Sequence, residues 1–239
     1  MNYIKEIRLS DLPHGEYPFN IPAVRHLKKA GGISLNKPVT FLVGENGTGK
    51  STLIEAIAVA MGFNAEGGSR DFYFNTHTTH SDLHKHLKIV KSLRPDDGFF
   101  LRAESFYNTA SYLEENSSML RYGGVSFHEQ SHGESFLALV LNRFEGYGLY
   151  ILDAPEAALS PQRLKSLLVA IDQLVKADSQ FIIATHSPIL MAYPNAEILQ
   201  FTEAGIDKVS YRDTEHYKIT KQFIDSPERM MRYLLNDTE

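Results

Sequence analysis

The chain has no cysteine, which removes both a disulfide framework and a thiolate metal site from the possible designs. It has no apolar run near the ~20 residues that a membrane span requires. Its first residues lack the basic-then-apolar pattern of a secretory signal. Neither sign of charge dominates: 24 Lys and Arg against 29 Asp and Glu give a net charge of −5, so charge provides no general attraction to nucleic acid. The one basic group near the N-terminus, Arg25, His26, Lys28 and Lys29, reads as a solvated face. There is no internal repeat and no heptad stretch long enough for a coiled coil. The remainder is ordinary, with 43% hydrophobic and 22% charged residues over 239 positions. That composition suits a cytoplasmic globular protein of one large or two small domains, with ample chain for a core.

Against this plain background one stretch stands out. Gly44-Glu45-Asn46-Gly47-Thr48-Gly49-Lys50-Ser51 fits GxxxxGK[ST], the P-loop or Walker A pattern. Val39–Val43 before it is short, apolar and β-branched, which reads as a buried strand. Thr52–Met61 after it is apolar nearly all round and is closed by Gly62, which reads as a buried helix with a glycine cap. Glycines at these positions let backbone N–H groups surround a phosphate chain. The helix N-terminus adds partial positive charge, Lys50 reaches the β/γ-phosphates, and the Ser51 hydroxyl can ligate Mg²⁺.

The rest of the chain is read around that stretch. Residues 1–43 look β-rich, with Tyr3–Leu9 as a strand and Pro13, Pro18 and Pro22 as punctuation. Tyr17 or Phe19 could stack on an adenine ring or simply pack in the core. Residues 62–82 read as a loop. Leu83–Ser92 and Phe99–Ala103 then read as a hairpin about the turn Arg94–Gly98. His77, His80, His84 and His86 fall here, but no single structure aligns all four, so a metal site is disfavoured.

Helix is expected around Tyr107–Arg121. Ser131-His132-Gly133-Glu134-Ser135 then opens an apolar helix, a second anion-attracting helix N-terminus. Gly148–Asp153 is an apolar run ending in a carboxylate, as in a Walker B strand that presents Asp to Mg²⁺. Pro161–Val175 reads as an amphipathic helix. Gln180–Thr185 is another buried strand, and it ends at His186, where parallel sheets bind ligands. A hairpin about Gly205 and two short helices complete the chain, the second helix opened by Ser226-Pro227-Glu228.

Walker A, serine-glycine turn, Walker B and strand-end histidine follow the order found in ATP-binding cassette ATPases. Over nearly its whole length the chain resembles the compact soluble members, the "AAA family" ATPases related to the SMC and RecF group, rather than a transporter subunit. The resemblance implies an α/β fold: a P-loop NTPase of ABC ATPase type with a mostly parallel central sheet and an antiparallel β subdomain. A small helical lobe, about residues 105–145, would be inserted between the Walker motifs of a single domain 1–239. It implies ATP and Mg²⁺ as cofactors. ATP would be held by Gly44, Asn46, Gly47, Thr48, Gly49, Lys50, Ser51 and Thr52, and the metal by Ser51 and Asp153.

Ser131, Gly133 and Glu134 correspond to the signature motif, His186 to the switch histidine at the γ-phosphate, and Ala157-Ala158-Leu159-Ser160 to the D-loop. Because one P-loop leaves the γ-phosphate exposed, the resemblance further implies a head-to-tail homodimer glued by ATP, which would gate or drive a partner such as a nuclease or other effector. Bacterial defence and DNA repair are the settings in which such stand-alone proteins work.

Two departures stand out. The family's Q-loop glutamine has no clear counterpart, Glu104 being a weak substitute. The family also places a glutamate directly after the Walker B aspartate, where it activates water, whereas this chain reads Asp153-Ala154-Pro155-Glu156. Binding residues are therefore intact and hydrolysis is expected to be impaired, in either an engineered trap form or a natural switch with little turnover. Glu156, a separate residue in the family pattern, is not expected to take over.

Overall fold

The apolar runs of the sequence become neighbouring strands of one sheet. In the computed structural model, which describes residues 2–10, 17–70, 81–117 and 119–236, the chain begins with β1 (Ile4–Leu9), α1 (Pro22–Ala30) and β2 (Ile33–Ser34). The P-loop strand β3 (Val39–Gly44) leads into α2 (Lys50–Ala60), followed by β4 (Leu87–Lys91) and β5 (Asp97–Arg102). Then come α3 (Phe106–Asn116), α4 (His132–Arg143), β6 (Gly148–Asp153), α5 (Pro161–Lys176), β7 (Gln180–Ala184) and the short α6 (Pro188–Met191). The chain closes with β8 (Glu197–Phe201), β9 (Ile206–Val209), α7 (Glu215–Asp225) and α8 (Pro227–Asn236).

The central sheet has the order β5-β6-β7-β3-β8-β9. Its first five strands run parallel, and β9 returns antiparallel from β8. These strands are buried on both faces, which is why they read as continuous apolar runs rather than as alternation. Val39, Phe41, Val43, Tyr150, Leu152, Phe181 and Ile183 enter one core, which they share with α3, α4 and α5. Leu42, Leu149, Ile151, Ile182 and Ala184 enter the other, with α1, α2 and β1. Each fully buried Leu or Phe contributes about 1.5–3 kcal/mol by leaving water. A smaller antiparallel sheet, β2-β1-β4, flanks the second core. The fold is α/β, a mostly parallel sheet accompanied by an antiparallel one and by helices.

Two expectations are corrected here. Residues 1–43 are not uniformly β-rich, because α1 occupies Pro22–Ala30. Pro22 presets the first helical φ, Ala23, Val24 and Leu27 are buried on one face, and Gly31 terminates the helix at φ 75°. Residues 83–103 are not a hairpin. β4 pairs antiparallel with β1, whereas β5 pairs parallel with β6. The physical reason lies in burial: Gly98–Leu101 is buried throughout, which suits the interior sheet, while β4 is largely exposed and suits an edge.

The helices between β5 and β6 are fixed to the sheet rather than built on a core of their own. Phe106, Phe127 and Phe136 cluster with the sheet's apolar side chains. Arg143 at the end of α4 donates to Asp97 Oδ1 at 2.8 Å, and the Tyr150 hydroxyl donates to Asp97 Oδ2 at 2.7 Å. Burial, then that carboxylate, push the Tyr150 phenol up from its ordinary pKa. No helix among the described residues is long and apolar enough to cross a membrane.

Candidate functional site

Because β7 lies between β3 and β6, three strand ends meet. Leu42 is in register with Ala184, and Asp153 with Ala184. The P-loop, the Asp153 carboxylate and the His186 segment therefore open on the same edge of the sheet, the carboxyl-terminal edge where parallel sheets take ligands. A cavity of about 270 Å³ lies there, lined by Tyr17, Asn46, Gly47, Gly49, Lys50, Ser51, Thr52, Asp153, Ala154 and His186 among others.

The loop is built for close approach. Gly44, Gly47 and Gly49 have φ of 138°, 83° and 93°, where only glycine is unstrained. α1 supports the loop from behind: Ala23 N donates to Thr48 O at 3.0 Å, and the Ile21 and Ala23 side chains lie against Gly49. Gly44 and Thr48 lie outside the cavity lining. Gly44 contributes its carbonyl, and the Thr48 hydroxyl donates to Glu45 O at 2.8 Å.

Lys50 is buried, and its ammonium donates to the carbonyls of Gly44 at 2.6 Å and Glu45 at 2.8 Å. Burial pushes its pKa down, against the attraction of Asp153, Glu45 and Glu156. An ammonium satisfied by neutral carbonyls leaves positive charge that an anion can offset. Ser51 Oγ donates to Asp153 Oδ1 at 3.2 Å across 102 positions of chain. Two hard oxygen donors side by side match the ligand preference of Mg²⁺. Burial pushes the Asp153 carboxyl up, opposed first by Arg102 and then by the Ser51 hydrogen bond. The residues present thus fit both a phosphate chain and Mg²⁺.

Arg102 was not legible as a site residue. The β5–β6 register sets it opposite Asp153. It pairs with Glu55 at 2.7 Å, and its Nε lies 3.5 Å from Asp153 Oδ2. Glu104 beside it has a side chain 90% exposed and lies outside the cavity lining. Of the two aromatic candidates, Tyr17 lines the cavity, whereas Phe19 packs edge-on to His86 with centroids 5.0 Å apart. His84 is within 3.0 Å of Ser81 O, and His77 and His80 lie outside the described residues. Among the described residues no group of His, Cys, Asp or Glu could hold a metal on its own.

Glu156 is not part of the P-loop cavity lining but sits behind two residues that are, Thr185 and His186. Its carboxylate accepts from the Thr185 hydroxyl at 2.7 Å and from the His186 backbone N–H at 2.5 Å. It thus braces the end of β7 and lines a second, more apolar groove of about 700 Å³ with Leu159, Leu164, Tyr211 and Tyr217. His186 lines both hollows. Its ring Nδ1 is 2.8 Å from His216 Nε2 on α7. Burial, then Lys50 and His216, hold its pKa below the ordinary histidine value, which favours the uncharged imidazole.

The serine-glycine turn stands apart. Ser131 and Glu134 are exposed at the start of α4, where the Glu134 carboxylate accepts from Ser131 N at 3.0 Å and from Ser131 Oγ at 2.6 Å. Arg163 on α5 pairs with Glu134 at 2.8 Å. A Cβ on Gly133 would meet Ala158 O at 2.7 Å, so the turn packs tightly against residues 157–160. None of Ser131, Gly133 and Glu134 lines the P-loop cavity.

Two family models match this chain. Residues 23–115, with the P-loop, match one described as "AAA domain". Residues 118–192, with the serine-glycine turn, Asp153 and His186, match one described as "AAA domain, putative AbiEii toxin, Type IV TA system". Each model covers less than half of the chain, and both descriptions name an AAA domain. No curated protein matches the sequence. Among solved structures, the SMC head domain from Thermotoga maritima is 15% identical, with 87% of this chain and 99% of that one covered and a TM-score of 0.45. The cbiO1 protein from Clostridium perfringens, part of the ABC transporter complex cbiONQ, is 16% identical over 96% and 98% of the two chains, with a TM-score of 0.48. At these values neither likeness adds to what the topology itself carries.

Proposed function

We propose that this chain is a single cytoplasmic ATPase domain that binds MgATP and closes around it as a head-to-tail homodimer. The observation that carries this reading is the convergence of Lys50, Ser51 and Asp153 on one glycine-walled cavity, with the Ser51 hydroxyl 3.2 Å from the Asp153 carboxylate. Lys50 supplies the cation for the β/γ-phosphates, and the N–H groups of Asn46, Gly47, Gly49, Lys50, Ser51 and Thr52 supply the cradle. Ser51 and Asp153 would hold Mg²⁺, which when bound neutralises charge on the phosphates. His186, at the end of the strand beside the P-loop strand, would donate to the γ-phosphate. Tyr17 is the residue offered to the adenine ring.

The dimer rests on the placement of the signature turn. Ser131 and Glu134 are exposed, Gly133 is buried against Ala158, and none of the three lines its own cavity. In this reading the turn therefore serves the nucleotide of a second copy, giving two composite sites related by a two-fold axis. Ala154 puts a methyl group where a water-activating carboxylate is expected. Glu156 is committed to Thr185 and His186, so turnover is slow and the ATP-bound state long-lived. In this reading the ATP-held dimer gates a protein partner in defence or DNA repair. The second family description, which names a toxin of a type IV toxin–antitoxin system, favours defence. A scaffold that binds ATP without turnover is the second reading, and the methyl of Ala154 is the observation favouring it.

Calorimetric titration with MgATP tests the core of the proposal. Lys50→Ala is expected to abolish tight binding, because the cation that the P-loop directs at the phosphates is lost. Wild-type affinity in that variant would end the P-loop reading.

A further inference from the structure

The histidine at the end of β7 does not stand alone. His186 Nδ1 lies 2.8 Å from His216 Nε2, with ring centroids 4.9 Å apart and the planes inclined by 59°. Only one hydrogen fits between two nitrogens at that distance, so one ring donates and the other accepts. The two arrangements differ at the far side of His186. If His216 donates, His186 carries its own proton on Nε2 and offers an N–H there. If His186 donates, Nε2 holds a lone pair and repels an anionic oxygen.

The cavity settles which arrangement is useful. His186 lines the P-loop hollow and His216 does not; Nδ1 is engaged with His216, so Nε2 is the polar ring atom left for the site. His186 is held twice, its backbone by the Glu156 carboxylate and its ring by His216. His216 itself is fixed on α7, whose first turn is capped by the buried Thr214: that hydroxyl accepts from Tyr217 N at 3.3 Å.

We propose that His216 is a positioning residue. Its Nε2–H donates to His186 Nδ1, which locks His186 in the tautomer and orientation that donate from Nε2 to the terminal phosphate of a nucleoside triphosphate. The C-terminal helix pair thereby becomes part of the triphosphate-sensing device, acting through His186 without touching nucleotide. This inference rests on the nucleotide reading above, and its test separates the two.

The full chain is studied in two ways. Long-range ¹H–¹⁵N spectra of the His186 ring at neutral pH are expected to show the Nε2–H tautomer, and finding Nδ1–H would overturn the proposal. Affinities for MgATP and MgADP are then compared in His216→Phe, which keeps a ring but has no donor, and in His216→Gln, whose amide donates. His216→Phe should lose about tenfold in ATP affinity, the size of one hydrogen bond to a charged group, with ADP affinity unchanged. His216→Gln should retain the preference for ATP. Equal loss for ATP and ADP, no loss in His216→Phe, or a His216→Gln variant as poor as His216→Phe would each refute a positioning role. If the unmodified chain binds neither nucleotide, the ATPase reading falls, and the tautomer spectrum still judges the histidine pair.

Discussion

Gly44→Ala and Gly47→Ala make the same chemical change three positions apart, and the structure assigns them opposite consequences. A Cβ on Gly44 would lie 2.1 Å from the backbone oxygen of Phe201, its register partner on β8, at a φ of 138°. The neighbour is backbone, so it cannot swing aside, and the two strands must part by about 1 Å before ordinary contact is restored. The disallowed φ costs about 1–3 kcal/mol, and forced overpacking adds about 1–3 kcal/mol. A total of about 2–6 kcal/mol is a large part of the stability of a typical domain. At roughly 2–4 °C per kcal/mol for a chain of this size, melting should fall by about 10 °C.

A Cβ on Gly47 meets nothing within 4 Å. Only its φ of 83° is penalised, at about 1–2 kcal/mol. Its methyl group, however, would stand in the mouth of the P-loop cavity, where the phosphates are expected. Thermal unfolding of both variants with and without MgATP reads out the difference. Gly44→Ala should lose fold stability, whereas Gly47→Ala should lose a few degrees at most and with them the upward shift that MgATP gives the unmodified chain. Equal destabilisation of the two variants, or a full MgATP shift in Gly47→Ala, would refute the division of labour.

Two further outcomes bear on turnover and assembly. Ala154→Glu places a carboxylate on the cavity lining beside Asp153, and phosphate release at saturating MgATP should rise ~10²–10⁴-fold. Unchanged turnover would mean that another group activates water. Ser131→Arg sets a second cation beside Arg163 on the exposed turn. It should block the ATP-dependent dimer in light scattering while leaving calorimetric ATP binding nearly intact, and a dimer indifferent to ATP and to this substitution would remove the composite-site reading.

What the sequence displayed most clearly was whatever is encoded locally. The P-loop, β6 with Asp153, β7 with the following histidine, α5 and the β8–β9 hairpin are continuous segments whose apolar patterns and glycines declare them. α1 was obscured by three prolines, although Pro22 at its first position and Gly31 at its end are the signals that would have found it. The false hairpin arose because sequence neighbours were assumed to pair, when Asp97 in fact pairs with Gly148. The buried run Gly98–Leu101 was the sign that this strand belonged to the sheet that is covered on both faces, at whose end it lies. Arg102 and His216 were illegible for the same reason: each reaches its partner through strand order and helix docking, and neither has a neighbouring residue that marks it.

The carboxylate of Glu156 ties together two segments that are far apart in the chain. Its backbone belongs to the turn Pro155–Ala157, while its oxygens grip the end of the adjacent strand at Thr185 and His186. That turn carries the exposed Ala157 on the outer surface of the molecule. The turn and the strand end are therefore joined by one side chain, and its partners on the strand side, Thr185 and His186, line the P-loop cavity. Glu156→Ala would remove at once the shared acceptor of the Thr185 hydroxyl and the His186 backbone N–H, separating a surface turn from a strand end that borders the cavity.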